Sequence, residues 1–115
     1  MEVELDKSFY KGNPDHFYQH CVGAWGAQMA KRIEMRLQQA RAADNLGVLL
    51  PFRAPGRWHW LRENRSGQFS ADLVHPQRLI FVPDGGYQQY QSENGSIDDS
   101  QIKKVIVIDI ADTHD

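Results

Sequence analysis

Arginine and histidine side chains are concentrated in one stretch of this 115-residue chain, RWHWLRENRSGQFSADLVHPQRLIFV, which runs from Arg57 to Val82. The residues of interest there are Arg57, His59, Arg62, Arg65, His75 and Arg78. Arginine can bind a phosphate through two parallel hydrogen bonds. Histidine changes charge near neutral pH, which suits it to proton transfer. The combination indicates a site that binds phosphate and moves protons.

The chemistry that fits these residue types is cleavage of RNA by its own 2′-hydroxyl group. This reaction needs a group that takes the hydroxyl proton, a group that protonates the leaving 5′-oxygen, and cations beside the charge that grows on phosphorus. We expect His59 and His114 to transfer the protons, and the residue types leave open which is the base. We expect Arg62 and Arg78 to stabilise the phosphate.

Four further residues are expected to serve the same site. Asp112 would orient a histidine or contact the substrate, and the RNA-binding residues would be Arg57, Arg65 and His75.

Each assignment also has a purely structural explanation. His59 can cover one face of a strand, and the loop arginines can simply be solvated. Arg78 can pair with Asp72 across a hairpin, and His114 can belong to a frayed terminus. The two explanations differ in whether these side chains converge.

Composition predicts a single globular domain. The length is in the usual range for one domain, the formal net charge is -2 and the mean hydropathy is -0.59. One cysteine, Cys21, cannot form an internal disulfide, and no Cys/His spacing of a zinc site is present. The acidic start lacks the apolar run of a signal peptide, and no segment could cross a membrane. We expect one cytoplasmic domain over residues 1–115, with no metal, no cofactor and no membrane partner.

Charge is distributed unevenly along the chain. Residues 31–78 contain nine Lys or Arg and four Asp or Glu, whereas residues 1–30 and 79–115 carry net charges of -2 and -5. A basic middle with acidic ends fits a nucleic-acid-binding face whose opposite side is solvated or meets a different partner.

The periodicity of apolar residues predicts an N-terminal strand followed by two helices. Residues 2–5 alternate as a short strand. A short helix capped by Asn13 runs through Cys21. Residues 27–43 then form an amphipathic helix with a core stripe of Met29, Ile33, Leu37 and Ala40.

Beyond residue 56 the period changes to two. This change predicts an antiparallel meander of strands at 58–61, 68–74 and 78–82, and residues 105–110 predict an interior strand. The intervening residues 83–101 are rich in Gly, Gln, Ser and Asp and predict a mobile loop. The fold class is therefore α+β, with a strand and two helices packed on a twisted, mainly antiparallel sheet of four to five strands.

Several runs, in this order and spacing, resemble the HigB-type branch of the RelE/ParE toxin superfamily. They are WLRENRSGQFS from Trp60, LVHPQRLIF from Leu73 and VIDIADTH from Val107, with the helical ARAADNL from Ala40 in support. The resemblance extends from about Met29 to the end of the chain, with residues 83–101 as an expanded loop.

The resemblance implies the toxin of a type II toxin-antitoxin system, which cleaves translated mRNA on the ribosome and is neutralised by a helix-turn-helix antitoxin. It implies the same site residues: His59, Arg62, Arg78, and a C-terminal triplet of Asp112, Thr113 and His114. Thr113 stands where the family usually has tyrosine, and Arg62 replaces the more common lysine.

Two other functions stay open at this point. One is a non-catalytic inhibitor of DNA gyrase on the same fold, as in the ParE branch, and the other is an inactive relative that only binds an antitoxin. A nuclease predicts that His59, Arg78 and His114 converge in one cleft, whereas an inhibitor predicts dispersed histidines.

Overall fold

A computed structural model of the chain describes residues 1–113. Its strands are β1 (Glu2–Leu5), β2 (His59–Trp60), β3 (Phe69–Asp72), β4 (Arg78–Pro83) and β5 (Lys104–Ala111). Its α-helices are α1 (Phe17–Trp25) and α2 (Ala27–Ala42). The predicted α+β fold, with two helices on a mainly antiparallel sheet, is confirmed.

The strands form one mixed sheet in the order β1-β5-β4-β3-β2. Strands β2 to β5 pair antiparallel, whereas β1 pairs parallel with β5, Val3 opposite Val105. Strand β5 therefore lies between two neighbours, as its apolar sequence predicts. The helices separate β1 from the rest of the sheet in sequence, which permits the parallel pairing.

Both helices bury their apolar sides against one face of the sheet. The predicted stripe of α2 is confirmed, since Ile33, Leu37 and Ala40 are buried and Met29 is packed against the core. Sheet residues in the same core are Phe69, Ala71, Leu79, Phe81, Val105 and Val107. Burial of each large apolar side chain contributes about 1.5–3 kcal/mol to folding.

The break between the helices lies at Gly26. Asn13 caps the preceding 3-10 turn Pro14–His16, as predicted, and accepts a hydrogen bond from the Asp15 N–H at 2.9 Å. Helix α1 then continues past Cys21 to Trp25, and a φ of 93° at Gly26 ends it. Neither helix within residues 1–113 is long and apolar enough to cross a lipid bilayer.

Arg36 is buried, although its place in the sequence predicts a solvated helix face. Its side chain is 5% exposed. Its Nε donates to the Asp72 carbonyl at 2.7 Å, and its Nη1 donates to the Pro55 carbonyl at 3.3 Å and to Gln39 Oε1 at 2.8 Å. Burial lowers the pKa of Arg36, the charge of Arg32 adds to this effect, and Asp72 opposes it. The guanidinium joins α2 to the end of β3 and to the segment before β2.

The region predicted as a mobile loop contains 3-10 turns at Tyr87–Tyr90 and Asp99–Gln101. Tyr90 and Ile97 are packed against the core. Trp60 Nε1 donates to Asp99 Oδ1 at 2.9 Å, and this bond lowers the pKa of Asp99 while the larger effect, burial, raises it. Much of the segment thus has regular local structure, and its mobility stays a prediction.

The contact between Gly56 and Arg36 generates a stability prediction. Gly56 has a φ of 114°, and a Cβ there would lie 2.8 Å from Arg36 Cζ. Gly56→Ala should therefore lower the free energy of unfolding by about 1–3 kcal/mol, measured by urea denaturation.

Gly23→Ala is the matched control, because Gly23 lies within α1 and a Cβ there would meet no atom within 4 Å. This control should raise stability by about 0.5–1 kcal/mol, since alanine is the better helix former. Equal effects of the two substitutions would contradict the assigned contact.

Candidate functional site

Polar side chains lie on the sheet face opposite the helices. His59, Ser70, Ile80 and Asp109 are successive cross-strand partners in β2, β3, β4 and β5. Directly opposed residues of antiparallel strands point to the same side, and the adjacent residues in β3 and β4 are core residues. This row therefore belongs to the side of the sheet away from the helices, which we call the open face, although Ser70 and Ile80 at its centre are buried.

A β-bulge in β5 brings Asp109 to the open face. Asp109 pairs with Ile80 and Val107 with Phe81, which leaves Ile108 as the extra residue. Simple alternation from Val107, which faces the core, would have put Asp109 in the core as well. The bulge shifts the alternation by one residue, so Ile110 packs on the core instead.

A cavity of about 430 Å³ lies at the end of the open face where β3 and β4 meet their turn. Four predicted site residues line it: Arg57, His75, Arg78 and Asp112. Its remaining lining residues are Asp72, Leu73, Pro76 and Gln77. The convergence of these side chains could not be read from their separation in sequence.

Asp72 lies between the two arginines of this cavity. Its Oδ1 is 3.3 Å from Arg78 Nε, and its Oδ2 is 4.0 Å from Arg57 Nη1. Arg78 Nη1 also donates to Thr113 Oγ1 at 2.8 Å. Arg78 thus forms the cross-strand pair with Asp72 that the structural explanation predicts. It also lines the cavity.

The loop between β2 and β3 extends over the open face through Arg65. Its Nη2 is 3.0 Å from Asp109 Oδ2 in β5, and its Nη1 donates to Gln68 Oε1 at 2.9 Å. Arg62 precedes the 3-10 turn Glu63–Arg65 in this loop. The loop is therefore held to the sheet, unlike a simply solvated hairpin.

His59 lies at the edge strand, outside the residues that line the cavity. Its Nδ1 donates to the Arg57 carbonyl at 2.6 Å, and its ring stacks on Phe52 with centroids 5.2 Å apart. In the neutral ring this bond makes Nε2 the nitrogen that carries the lone pair. His59 belongs to β2, two strands from Arg78, so their backbones are about 10 Å apart.

Three non-glycine residues near His59 have left-handed backbones. The φ angles are 55° at Phe52, 50° at Arg57 and 57° at Glu63. Each costs on the order of 1–3 kcal/mol relative to an ordinary conformation, and such residues cluster at functional sites. This concentration of strain beside the edge strand supports a functional role for the region.

The acidic end of the chain contributes to the same face as the arginines. Asp109 and Asp112 lie beside Arg65 and Arg78, so the acidic C-terminal segment and the basic middle of the chain share one face. The cause is topology, because β5 pairs directly with β4. His114, the remaining predicted site residue, lies outside the described residues.

Three residues of the face were not predicted as site residues: Ser70, Asp72 and Asp109. Ser70 is fully buried, and within residues 1–113 its Oγ has no hydrogen-bond partner. A serine at the centre of a short apolar strand is the one sequence signal that could have identified it. The position of Asp109 depends on the bulge, and no residue type in β5 predicts a bulge there.

A larger hollow of about 820 Å³ lies between β1 and the helices, away from the open face. Its charged lining is balanced, with three basic residues (Lys7, Lys11, Arg41) and three acidic ones (Glu4, Asp15, Glu34). It contains no predicted site residue. The smaller cavity, with its converging arginines and histidine, is the better candidate for anion chemistry.

Comparison with known proteins finds similarity in fold only. Neither a protein-family model nor a curated protein sequence matches the chain. A YoeB/ParE toxin from Agrobacterium tumefaciens superposes with a TM-score of 0.54 at 17% identity, covering 96% of both chains. A YoeB dimer from Staphylococcus aureus gives a TM-score of 0.49 at 15% identity, covering 93% of this chain and 90% of the other. On the first of these comparisons, the chain has the fold of a YoeB/ParE toxin.

Proposed function

We propose that the protein is the toxin of a type II toxin-antitoxin system and that it cleaves translated mRNA on the ribosome. The observation that carries the proposal is the placement of Arg57, Arg65 and Arg78 on one sheet face, with His59 at the edge of that face and outside the cavity. The fold shared with a YoeB/ParE toxin supports the toxin class. The HigB-like runs of sequence support the nuclease within that class.

In the proposed reaction the 2′-oxygen of RNA attacks the adjacent phosphorus and the bond to the 5′-oxygen breaks. One histidine takes the 2′-hydroxyl proton and another donates a proton to the 5′-oxygen. His59 is one candidate, because its Nδ1 bond to Arg57 sets the ring orientation. His114 is the second candidate, and Asp112 would orient a histidine or contact the substrate.

Arginines stabilise the extra negative charge of the transition state in this proposal. Arg78 is 13% exposed as a side chain and held by Asp72 and Thr113, so it can act without first being ordered. Arg57 and His75 line the same cavity and would contact the RNA backbone. Arg62 and Arg65 would contact phosphates on either side of the cleavage point.

The charge of the open face supports a requirement for the ribosome. Arg57 and Arg78 lie beside Asp72, and Arg65 lies beside Asp109. Phosphate must therefore compete with carboxylates that already neutralise the arginines. Weak binding of free RNA is the expected result, and ribosomal RNA would supply the alignment that the protein alone lacks. A helix-turn-helix antitoxin is the proposed partner that holds the toxin inactive.

Induced expression in a bacterial host tests the proposal. The wild type should arrest growth and produce new 5′ ends within translated messages. Arg78→Ala should reduce cutting by about 10²–10³-fold, since it removes a transition-state contact. His59→Ala should reduce it by about 10²–10⁴-fold through loss of proton transfer. The measurement is transcriptome-wide mapping of 5′ ends.

Arg53→Ala serves as the control for expression and charge. Arg53 is an exposed arginine that donates to the Gly47 carbonyl at 3.4 Å, away from the open face. The Arg53→Ala variant should cut RNA like the wild type.

Growth arrest with intact transcripts and altered plasmid supercoiling would favour the gyrase inhibitor. Absence of arrest would favour the inactive antitoxin-binding relative.

Arg65 and its partner generate a second prediction, for binding to a single-stranded RNA oligonucleotide. Arg65→Ala should weaken binding and reduce the slope of log affinity against log salt by about 0.7, the value for one lost phosphate contact. Asp109→Asn should do the opposite and tighten binding, because Arg65 then loses its competing carboxylate. Fluorescence anisotropy at several salt concentrations measures both effects. The two substitutions must change the RNA affinity in opposite directions, since substitutions that merely loosened the loop would both weaken binding.

A further inference from the structure

Asp72 lines the cavity and lies beside two of its arginines, and its own role in the proposed reaction has not yet been assigned. Its two carboxylate oxygens face different arginines, with Arg78 Nε at 3.3 Å and Arg57 Nη1 at 4.0 Å. Arg57 precedes β2 and Arg78 begins β4, so one carboxylate connects cations from two separate segments.

The backbone of Asp72 is fixed independently of these arginines. Its N–H donates to the Gly56 carbonyl at 2.7 Å, and its carbonyl accepts from Arg36 Nε at 2.7 Å. Its register opposite Arg78 is set by the β3–β4 ladder. The backbone position of Asp72 is therefore set by contacts other than the side chains of Arg57 and Arg78.

Arg78 is restrained on two sides. Asp72 lies at its Nε, and Thr113 Oγ1 accepts from its Nη1 at 2.8 Å. A planar guanidinium with partners at both positions has a defined plane as well as a defined location. The plane decides which phosphate oxygens can receive paired hydrogen bonds.

The contact between Asp72 and Arg78 lacks the hydrogen bond expected of a stabilising ion pair. Asp72 Oδ1 is buried, and within residues 1–113 it has no hydrogen-bond partner, although Arg78 Nε is near. A buried acceptor without a hydrogen bond is unfavourable for folding. The contact of Asp72 Oδ1 with Arg78 is therefore an ion pair without a hydrogen bond.

We propose that Asp72 is a positioning residue, which orients Arg78 and Arg57 to receive one phosphate. Its effect on RNA cleavage rests on the proposed function, whereas its effect on the arginines does not. Because the carboxylate also competes with phosphate, its removal should leave RNA binding equal or tighter while cleavage falls at least tenfold. A merely structural residue would not separate binding from cleavage in this way.

The direct experiment observes the arginine Nε–H groups by nuclear magnetic resonance in wild type and Asp72→Asn. We expect the Arg78 Nε–H to exchange with water at least tenfold faster in the variant, because the side chain is less restrained and the carboxylate 3.3 Å from Nε no longer repels hydroxide. On titration with inorganic phosphate, the Arg57 and Arg78 signals should respond as one site in the wild type and separately in the variant. An Arg78 signal that is unchanged in Asp72→Asn would overturn the proposal.

Glu2→Gln is the matched control, since it also replaces an acid by its amide within an ion pair, here with Lys104 at the far side of the sheet. It should leave the Arg78 signal unchanged. If Asp72→Asn fails to fold by thermal denaturation, Asp72→Glu keeps the charge but moves it by one methylene. That variant should also shift the Arg78 signal, and an unshifted signal would count against the proposal.

Mapping of transcript ends completes the test. Cleavage that is lost in Asp72→Asn, with oligonucleotide binding retained, supports the positioning role. Wild-type cleavage in a folded Asp72→Asn overturns it. If the wild type itself leaves transcripts intact, the proposed function fails, and the exchange rate of the Arg78 Nε–H still decides the role of Asp72.

Discussion

The burial of one cation, Arg36, is the constraint on which the site depends. A charged group leaves water at a high cost unless its hydrogen bonds are replaced, and here two backbone carbonyls and an amide side chain replace them. Those carbonyls belong to Pro55, just before the edge strand, and to Asp72, at the end of β3. The guanidinium thus ties the helix layer to the segments that carry Arg57 and the cavity, through contacts that an apolar side chain could not make.

The sequence predicted the layers well because periodicity depends on burial alone. The stripe of α2, the antiparallel meander and the interior position of β5 all follow from which residues are apolar, and the structure confirms them. Arg36 shows where prediction from periodicity fails. A charged residue in a helix is expected to be exposed to solvent unless its carbonyl partners are known. Those partners lie 19 and 36 residues away, and only the tertiary fold brings them together.

The structure brings only some of the predicted site residues together. Arg57, His75, Arg78 and Asp112 line one cavity, whereas His59 lies nearer the edge of the same face. The acidic residues of this face were harder to predict, because arginine and histidine indicate an anion-binding site and carboxylates do not. Asp72 and Asp109 nevertheless set the electrostatics, since each lies within 4.0 Å of an arginine and lowers the attraction for phosphate. A phosphate that binds these arginines must therefore displace the carboxylate contacts.

The bulge at Ile108 has a consequence for the rest of β5. Beyond it Asp109 contacts Arg65 and Ile110 packs on the core, the reverse of what the alternation before the bulge would give. Register, rather than residue identity, therefore decides which residues of β5 face the arginines and which face the core. Loss of a single residue at this point would exchange these two sets and point Asp109 into the core. Related chains that differ by one residue here could present a different C-terminal chemistry on an otherwise unchanged scaffold.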